Sequence, residues 1–234
     1  PAASSVIRSS NYKFIHAPPI PAAAFTHAEL EYMPADTGML FGLKNAGGTN
    51  ALMPLSYRKF LDSVFSGENE IDCAKLNLLN IQHLFSKNRP QACGLRLVME
   101  NKGFGIYRNQ RALPLFFTSK EKDNLDLMVS RVSWTRRGEF DYTHFRVDAS
   151  CNQKGYLLFS NNYYPGWTAF VNNRLGVIEK CFGIYMGVKV EKGNNNVLLI
   201  YRPPFLSLFL ALNWLTAAFM LVFGLLVIAR NRKP

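Results

Sequence analysis

The sequence predicts an α+β chain: a mixed α/β N-terminal subdomain over residues 1–94, an antiparallel β-sandwich over 95–203, and a single C-terminal transmembrane helix within 204–234. Three observations predict it. An uncharged apolar run closes the sequence, short strand-like runs separated by turn residues fill its second half, and a helix-period stripe appears once in its first hundred residues. A chain of 234 residues is long enough to bury a substantial core beside the apolar run.

Taken in order, "HAPPIPAAAF" is a proline-rich extended entry. "GLKNAGGTN" is glycine-rich but lacks the Gly-Lys-Ser/Thr of a phosphate-cradling loop and opens no βαβ unit, so it reads as a plain loop. In "MPLSYRKFLDSVFSG", Pro54 stands near a helix start, Tyr57, Phe60, Leu61, Val64 and Phe65 form a stripe, and Gly67 is the stop. That is a short amphipathic helix. "KLNLLNIQHLF" fits either period, but Ile81, His83 and Phe85 alternate, which favours a strand for its second half.

From about Leu95 the runs "LRLVME", "FGIYRN", "LPLFFTS", "LDLMVSRVSW", "EFDYTHFRVDA", "GYLLFS", "WTAFV", "LGVIEK", "GIYMGVKVE" and "NNVLLIYR" follow at even spacing, as in a β-sandwich. In "GIYMGVKVE", Ile184, Met186, Val188 and Val190 fall on one face and Tyr185, Lys189 and Glu191 on the other, which predicts a half-buried strand. Asn172-Asn173 and Lys192-Gly193-Asn194 supply residues tolerant of positive φ, as tight hairpins require. The last strand runs through "YRPPF" into the apolar run, and two prolines leave little slack there. The sandwich is therefore expected to sit close against the bilayer.

That run, Phe205 to Ala229, carries no charge and is long enough to span a hydrocarbon core of about 30 Å. Read instead as a buried core helix, it would need protein on every side. Arg230, Arg232 and Lys233 follow it while only Arg202 stands close at its other end, so the positive-inside rule predicts a cytoplasmic C-terminus and an extracytoplasmic body. The chain begins "PAASSVIRSS", without Met, basic n-region or apolar h-region, so something upstream is expected to deliver the body across the membrane: earlier spans of a longer protein, or a removed signal peptide.

The net charge of +11 is uneven, with nine Lys/Arg against eight Asp/Glu in residues 1–100, fourteen against eight in 101–200, and four against none in the last 34. This balance suits anionic headgroups or phosphate-bearing glycolipids. Nucleic acid is not expected as a partner, because no zinc-finger spacing, basic helix or RNP-like strand accompanies the charge. Cys73, Cys93, Cys151 and Cys181 allow three complete disulfide pairings, with free buried thiols as the alternative; their spacing does not resemble a zinc site.

Catalytic signatures are missing. His16, His27, His83 and His144 have no partner at metal-ligand spacing, no GxSxG occurs, and Asp36, Asp141 and Asp148 qualify as carboxylate candidates only by proximity to aromatic residues. No catalytic or metal-binding residue is assigned. The stretch "NNYYPGWTAFVNN" has two readings. Its rings beside asparagines could stack on a sugar, or Pro165-Gly166 could turn the chain while Trp167 anchors the next strand, leaving one ring of four exposed. Tyr163, Tyr164 and Trp167, with the basic Arg136 and Arg137, are the candidate glycan contacts.

The segment "GYLLFSNNYYPGWTAFVNNRLGVIEKCFGIYMGVKVEKGNNNVLLIYRPP" resembles the C-terminal signature of YfhO-type bacterial membrane proteins. There a strand leads into a Tyr-Tyr-Pro-Gly-Trp turn, a hairpin, a Gly-Val strand, a glycine turn and a Tyr-containing strand before the last membrane helix. "GMLFGLKNAGGTN", "YRKFL", "LNLLNIQHLF" and "IYRNQRALPLFF" are similar to the family's extracytoplasmic segment in type and order. One departure is Asn172-Asn173 where the family hairpin commonly carries Asp-Gly; both pairs make the same turn.

The resemblance implies a polytopic glycosyltransferase of the GT-C class in the bacterial cytoplasmic membrane, moving a sugar from a polyprenyl-phosphate carrier to an envelope glycopolymer. Its acidic catalytic loops lie near the N-terminal spans, so no catalytic residue carries over and no cofactor is expected in this chain. The expected partners are the lipid bilayer, the remaining transmembrane part of the parent protein and envelope glycan. The alternative is a membrane-anchored, non-enzymatic β-sandwich module that binds glycan or protein or only packs against sister subunits.

Overall fold

A computed structural model describes residues 13–17, 44–46, 53–65, 70–86, 90, 92–101, 104–128, 130–136 and 143–231. Within them the chain forms strands β1 (Lys13–Ala17) and β2 (Lys44–Asn45), helices α1 (Leu55–Asp62) and α2 (Cys73–Leu78), then β3 (Ile81–Ser86), β4 (Arg96–Asn101) and β5 (Phe104–Arg108). The sandwich strands follow: β6 (Phe116–Ser119), β7 (Ser130–Arg136), β8 (His144–Cys151), β9 (Gly155–Asn162), β10 (Trp167–Val171), β11 (Arg174–Gly176), β12 (Ile178–Cys181), β13 (Tyr185–Val190) and β14 (Gly193–Tyr201). Helix α3 (Leu206–Asn231) ends the described chain.

Three sheets result, ordered β2-β1-β3-β5-β4, β12-β13-β9-β6 and β11-β10-β14-β8-β7. The first is mixed, since β1 runs parallel to β2 and β3, while the other two are antiparallel throughout. The sequence changes character near residue 94, but the sheets do not change there: β5 pairs onto β3 and β4 onto β5, so the first layer reaches Arg108. Likewise "GLKNAGGTN" is not all loop, because Lys44 and Asn45 form the short strand β2. Helix α1 stops at Asp62, and the expected stop at Gly67 lies outside the described residues, as does most of the proline-rich entry.

The middle sheet, β12-β13-β9-β6, is covered on both sides. Phe116, Leu157, Phe159, Met186 and Val188 point into the core shared with the outer sheet, against Phe145, Val147 and Leu199. Their neighbours Phe117, Leu158 and Tyr185 point the other way, into a second core with Tyr57 and Leu61 of α1 and Leu76 of α2. This corrects the reading of "GIYMGVKVE" as half-buried. Tyr185 is fully buried and donates its hydroxyl to the Leu78 carbonyl at 3.1 Å, and Ile184 joins it in that second core rather than siding with Met186. An aromatic ring with one polar tip reads as a solvent position in the local pattern, but here a distant layer supplies the acceptor.

The outer sheet keeps the alternation of a sheet wet on one side: β8 exposes Arg146, Asp148 and Ser150 while burying Phe145, Val147 and Ala149. The Asn172-Asn173 hairpin has φ of 51° and 64°, and Gly193 has φ of 100°, as the turn residues predict. A disulfide joins Cys73, at the start of α2, to Cys93, and closes a 20-residue separation; Cys151 and Cys181 are free and buried.

Helix α3 is long and apolar enough to cross a membrane over Leu206–Leu225, and none of that span is buried against the rest of the chain. A core helix of a water-soluble particle would be covered, so the apolar surface requires a lipid or protein environment outside the described chain.

Candidate functional site

The aromatic stretch forms a corner at the entry to α3. At the end of β9 the Tyr163 amide donates to the Ile184 carbonyl at 2.6 Å, and the chain turns through Pro165-Gly166 into β10. Gly166 adopts φ of 105°, and a Cβ there would overlap the carbonyl oxygen of Arg202 and press on the Tyr201 ring and Pro204. Only glycine allows so close an approach. The Arg202 amide donates to the Gly166 carbonyl at 2.9 Å, Trp167 pairs with Tyr201 across β10 and β14, and their rings lie 5.2 Å apart. The turn thus clamps the "YRPPF" segment just before α3 begins at Leu206.

Trp167 is half-buried and packs against the core. Its indole meets Phe159 at 5.7 Å, edge to face, and Phe145 at 6.2 Å, and the same cluster continues through Phe116 to Trp134. Tyr163 and Tyr164 are 39% and 53% exposed, so two rings of the stretch are free rather than one, while Phe170 is half-buried. Arg136 ends β7 and pairs with Phe145 in the backbone ladder. Its strand is three places from β10 in the sheet, about 14 Å at ordinary strand spacing, and at the same end. Arg137 lies outside the described residues, as do Asp36, Asp141 and His27. The structure therefore joins Tyr163, Tyr164 and Trp167 at one corner, and brings only the backbone of Arg136 to that end of the sheet.

Among the described residues, several other reactive groups are held inert or spent on structure. Burial, with Asp123 and Glu179 nearby, pushes the Cys181 thiol up to about 12, and burial also raises Cys151, so neither is a thiolate at neutral pH. His83 is 4% exposed, and burial with the neighbouring Arg108 cation lowers it to about 4, so it is neutral. Glu179 is held below the usual carboxylate range by its hydrogen bond from Lys189, at 3.1 Å, and by Lys122. These groups fasten the loop before Leu127 onto β12, together with Asp123, which accepts the Phe182 amide at 2.7 Å. Among the described residues no three His, Cys, Asp or Glu side chains come together as metal ligands.

A second feature escaped the sequence reading. On the outer face of the third sheet, at the end remote from α3, Arg131, Ser133, Asp148, Asn172, Asn194 and Asn196 line a groove of about 390 Å³. The signal was present as the run Asn194-Asn195-Asn196, but in a single sequence such a run is indistinguishable from hairpin chemistry.

Fold and corner together define a class: a β-rich body clamped to the start of an apolar, membrane-length helix. Residues 133–213, from β7 through the first turns of α3, match the family described as "Bacterial membrane protein YfhO". Over 107 residues the chain is 29% identical to the "Uncharacterized protein YfhO" of Bacillus subtilis (strain 168), an alignment covering 45% of this chain and 11% of that relative. On these matches the stretch from β7 into α3 is similar to YfhO-type bacterial membrane proteins. It spans about a tenth of the length of the relative it matches. No solved structure matches it.

Proposed function

We propose that this chain is the C-terminal extracytoplasmic module of a polytopic membrane glycosyltransferase that moves a sugar from a polyprenyl-phosphate carrier to a cell-envelope glycopolymer. The module itself is non-catalytic; it caps the membrane part on its outer face and guides the acceptor. The observation that carries this reading is the corner. A body that only needed tethering would tolerate a loose linker, whereas Gly166, Trp167 and Tyr201 fix it to the helix entry through backbone contacts inside the YfhO-matched stretch. Rigid coupling is what a cap over a membrane-embedded reaction centre requires, because acceptor and lipid-linked donor must meet in a fixed geometry. The Cys73–Cys93 disulfide supports the oxidising side of the membrane.

In this reading Tyr163, Tyr164 and Arg202 rest in the headgroup zone, where tyrosine rings and arginine cations are favoured. Their first neighbour is lipid, so the acceptor is met elsewhere on the body. Two measurements test the proposal. Lys154→Cys, at an exposed position, should react from outside intact cells with a membrane-impermeant maleimide; the native free thiols are buried and give no background. Deleting the module from the full-length protein should lower the sugar content of an envelope glycopolymer. Labelling only after lysis, or an unchanged sugar content, overturns it.

A further inference from the structure

We propose that the groove on the outer sheet is a binding site for an uncharged, polyhydroxylated chain, that is, a glycan segment. It is built from two neighbouring cross-strand rows. Ser133, Asp148 and Asn196 face one another across β7, β8 and β14, and Arg131, Ser150 and Asn194 form the next row. The Asn172-Asn173 hairpin closes one side.

The lining is fixed before any ligand arrives. The Asn172 side-chain oxygen accepts the Asn196 amide at 2.8 Å, and the Asn196 Nδ2 donates to Asp148 at 2.6 Å. Asn195 points inward and ties the Glu191–Gly193 turn, with bonds of 2.8 and 3.1 Å to those two carbonyls. What is left over is the amide NH2 of Asn172, the side-chain oxygen of Asn196 and the second carboxylate oxygen of Asp148. Donors and acceptors thus stand side by side on short side chains, as a row of hydroxyls requires. Holding them in place lowers the ordering cost of binding.

The charge selects the ligand class. Within the lining Arg131 and Asp148 balance, with Arg146 standing one row nearer α3 beside Leu198, so amides and hydroxyls make up most of the binding row. On the same face, one residue pair nearer α3, the half-buried Phe170 stands opposite Leu198 and offers an apolar edge for a sugar ring. Along β14, Asn196 lies five residues from Tyr201, about 17 Å, so a chain in the groove runs clear of the helix entry.

This inference rests on the reading that the body faces envelope glycan, and the two fail separately. The full chain in detergent micelles would be titrated with maltotetraose and with the N-acetylglucosamine tetramer while the asparagine side-chain amide signals are followed. Saturable binding with Kd of about 1 mM is expected. Ser133→Trp, which fills the groove from an exposed position, should weaken it at least about tenfold, and Asp148→Asn, which keeps the acceptor for Asn196, should weaken it less. Tyr164→Ala should leave it unchanged. No saturable binding by either sugar, binding indifferent to Ser133→Trp, or preferential binding of glycerol phosphate overturns the groove. Outside labelling of Lys154→Cys without sugar binding sinks the groove alone; sugar binding without outside labelling sinks the topology alone.

Discussion

The middle and outer sheets are built from similar strands and meet over one core, yet they differ in what each residue can be asked to do. In the middle sheet Leu157, Leu158 and Phe159 are consecutive and all buried, because the first layer covers one face and the outer sheet the other. In the outer sheet Val147 and Ala149 are buried while Arg146, Asp148 and Ser150 are free. Of these two sheets the outer one leaves side chains open for recognition, while the middle sheet is committed to packing. Substitutions separate the two, and the largest single effect should fall on the middle sheet.

The largest is expected from Tyr185→Ala. The ring is fully buried and its hydroxyl serves the Leu78 carbonyl, so truncation leaves a cavity and an orphaned acceptor between two layers. A loss of about 4 kcal/mol is expected in denaturant unfolding of the full chain in detergent. A loss below about 1 kcal/mol would mean that the first layer does not cover the middle sheet in solution. Gly187→Ala probes the same sheet. The new methyl would overlap the Cys181 sulfur and crowd Leu158, at a cost of about 2 kcal/mol. Because the opposing atom is a side chain, Cys181→Ala should relieve part of that cost, and a double-mutant cycle should show coupling of about 1 kcal/mol. Additive effects would place the strain elsewhere.

The covered layers should also respond to pH through His83. His83 is neutral in the fold, with its pKa lowered from 6.5 to about 4 by burial and Arg108. Between those values the unfolded chain binds more protons than the folded one, so stability falls as the pH drops from 6.5 toward 4. Unfolding midpoints at pH 7 and 4.5 should differ by less in His83→Gln than in the parent chain. An equal difference in both would assign the acid sensitivity to other groups.

The contrast between sheets also explains what the sequence disclosed. The period of "HFRVDASC" is set by water on one side and core on the other, so β8 could be read locally, as could the hairpin residues Asn172 and Asn173. Tyr185 could not, because its partner Leu78 lies 107 residues away and belongs to another layer. Trp167 was legible as an anchor, but its partner Tyr201 and the clamp of Gly166 on Arg202 appear only when β10 and β14 pair. The groove was hidden for a different reason: Asn172 and Asn196 serve the fold and line the surface with the same side chains.

The smallest effect is the sharpest test of the corner, where the two kinds of surface meet within four residues. Trp167 packs against Phe145, Phe159 and Tyr201, so Trp167→Ala should destabilise by about 3 kcal/mol. Tyr164 projects from the same turn and is 53% exposed, so Tyr164→Ala should stay within about 0.5 kcal/mol in detergent. Comparable losses from both would mean that Tyr164 packs onto the body and is not free to meet the headgroup zone. If Tyr164→Ala is silent in unfolding yet shifts the depth of a spin label at Tyr163→Cys in bilayers, the free ring holds the body at the membrane surface and Trp167 holds the body together.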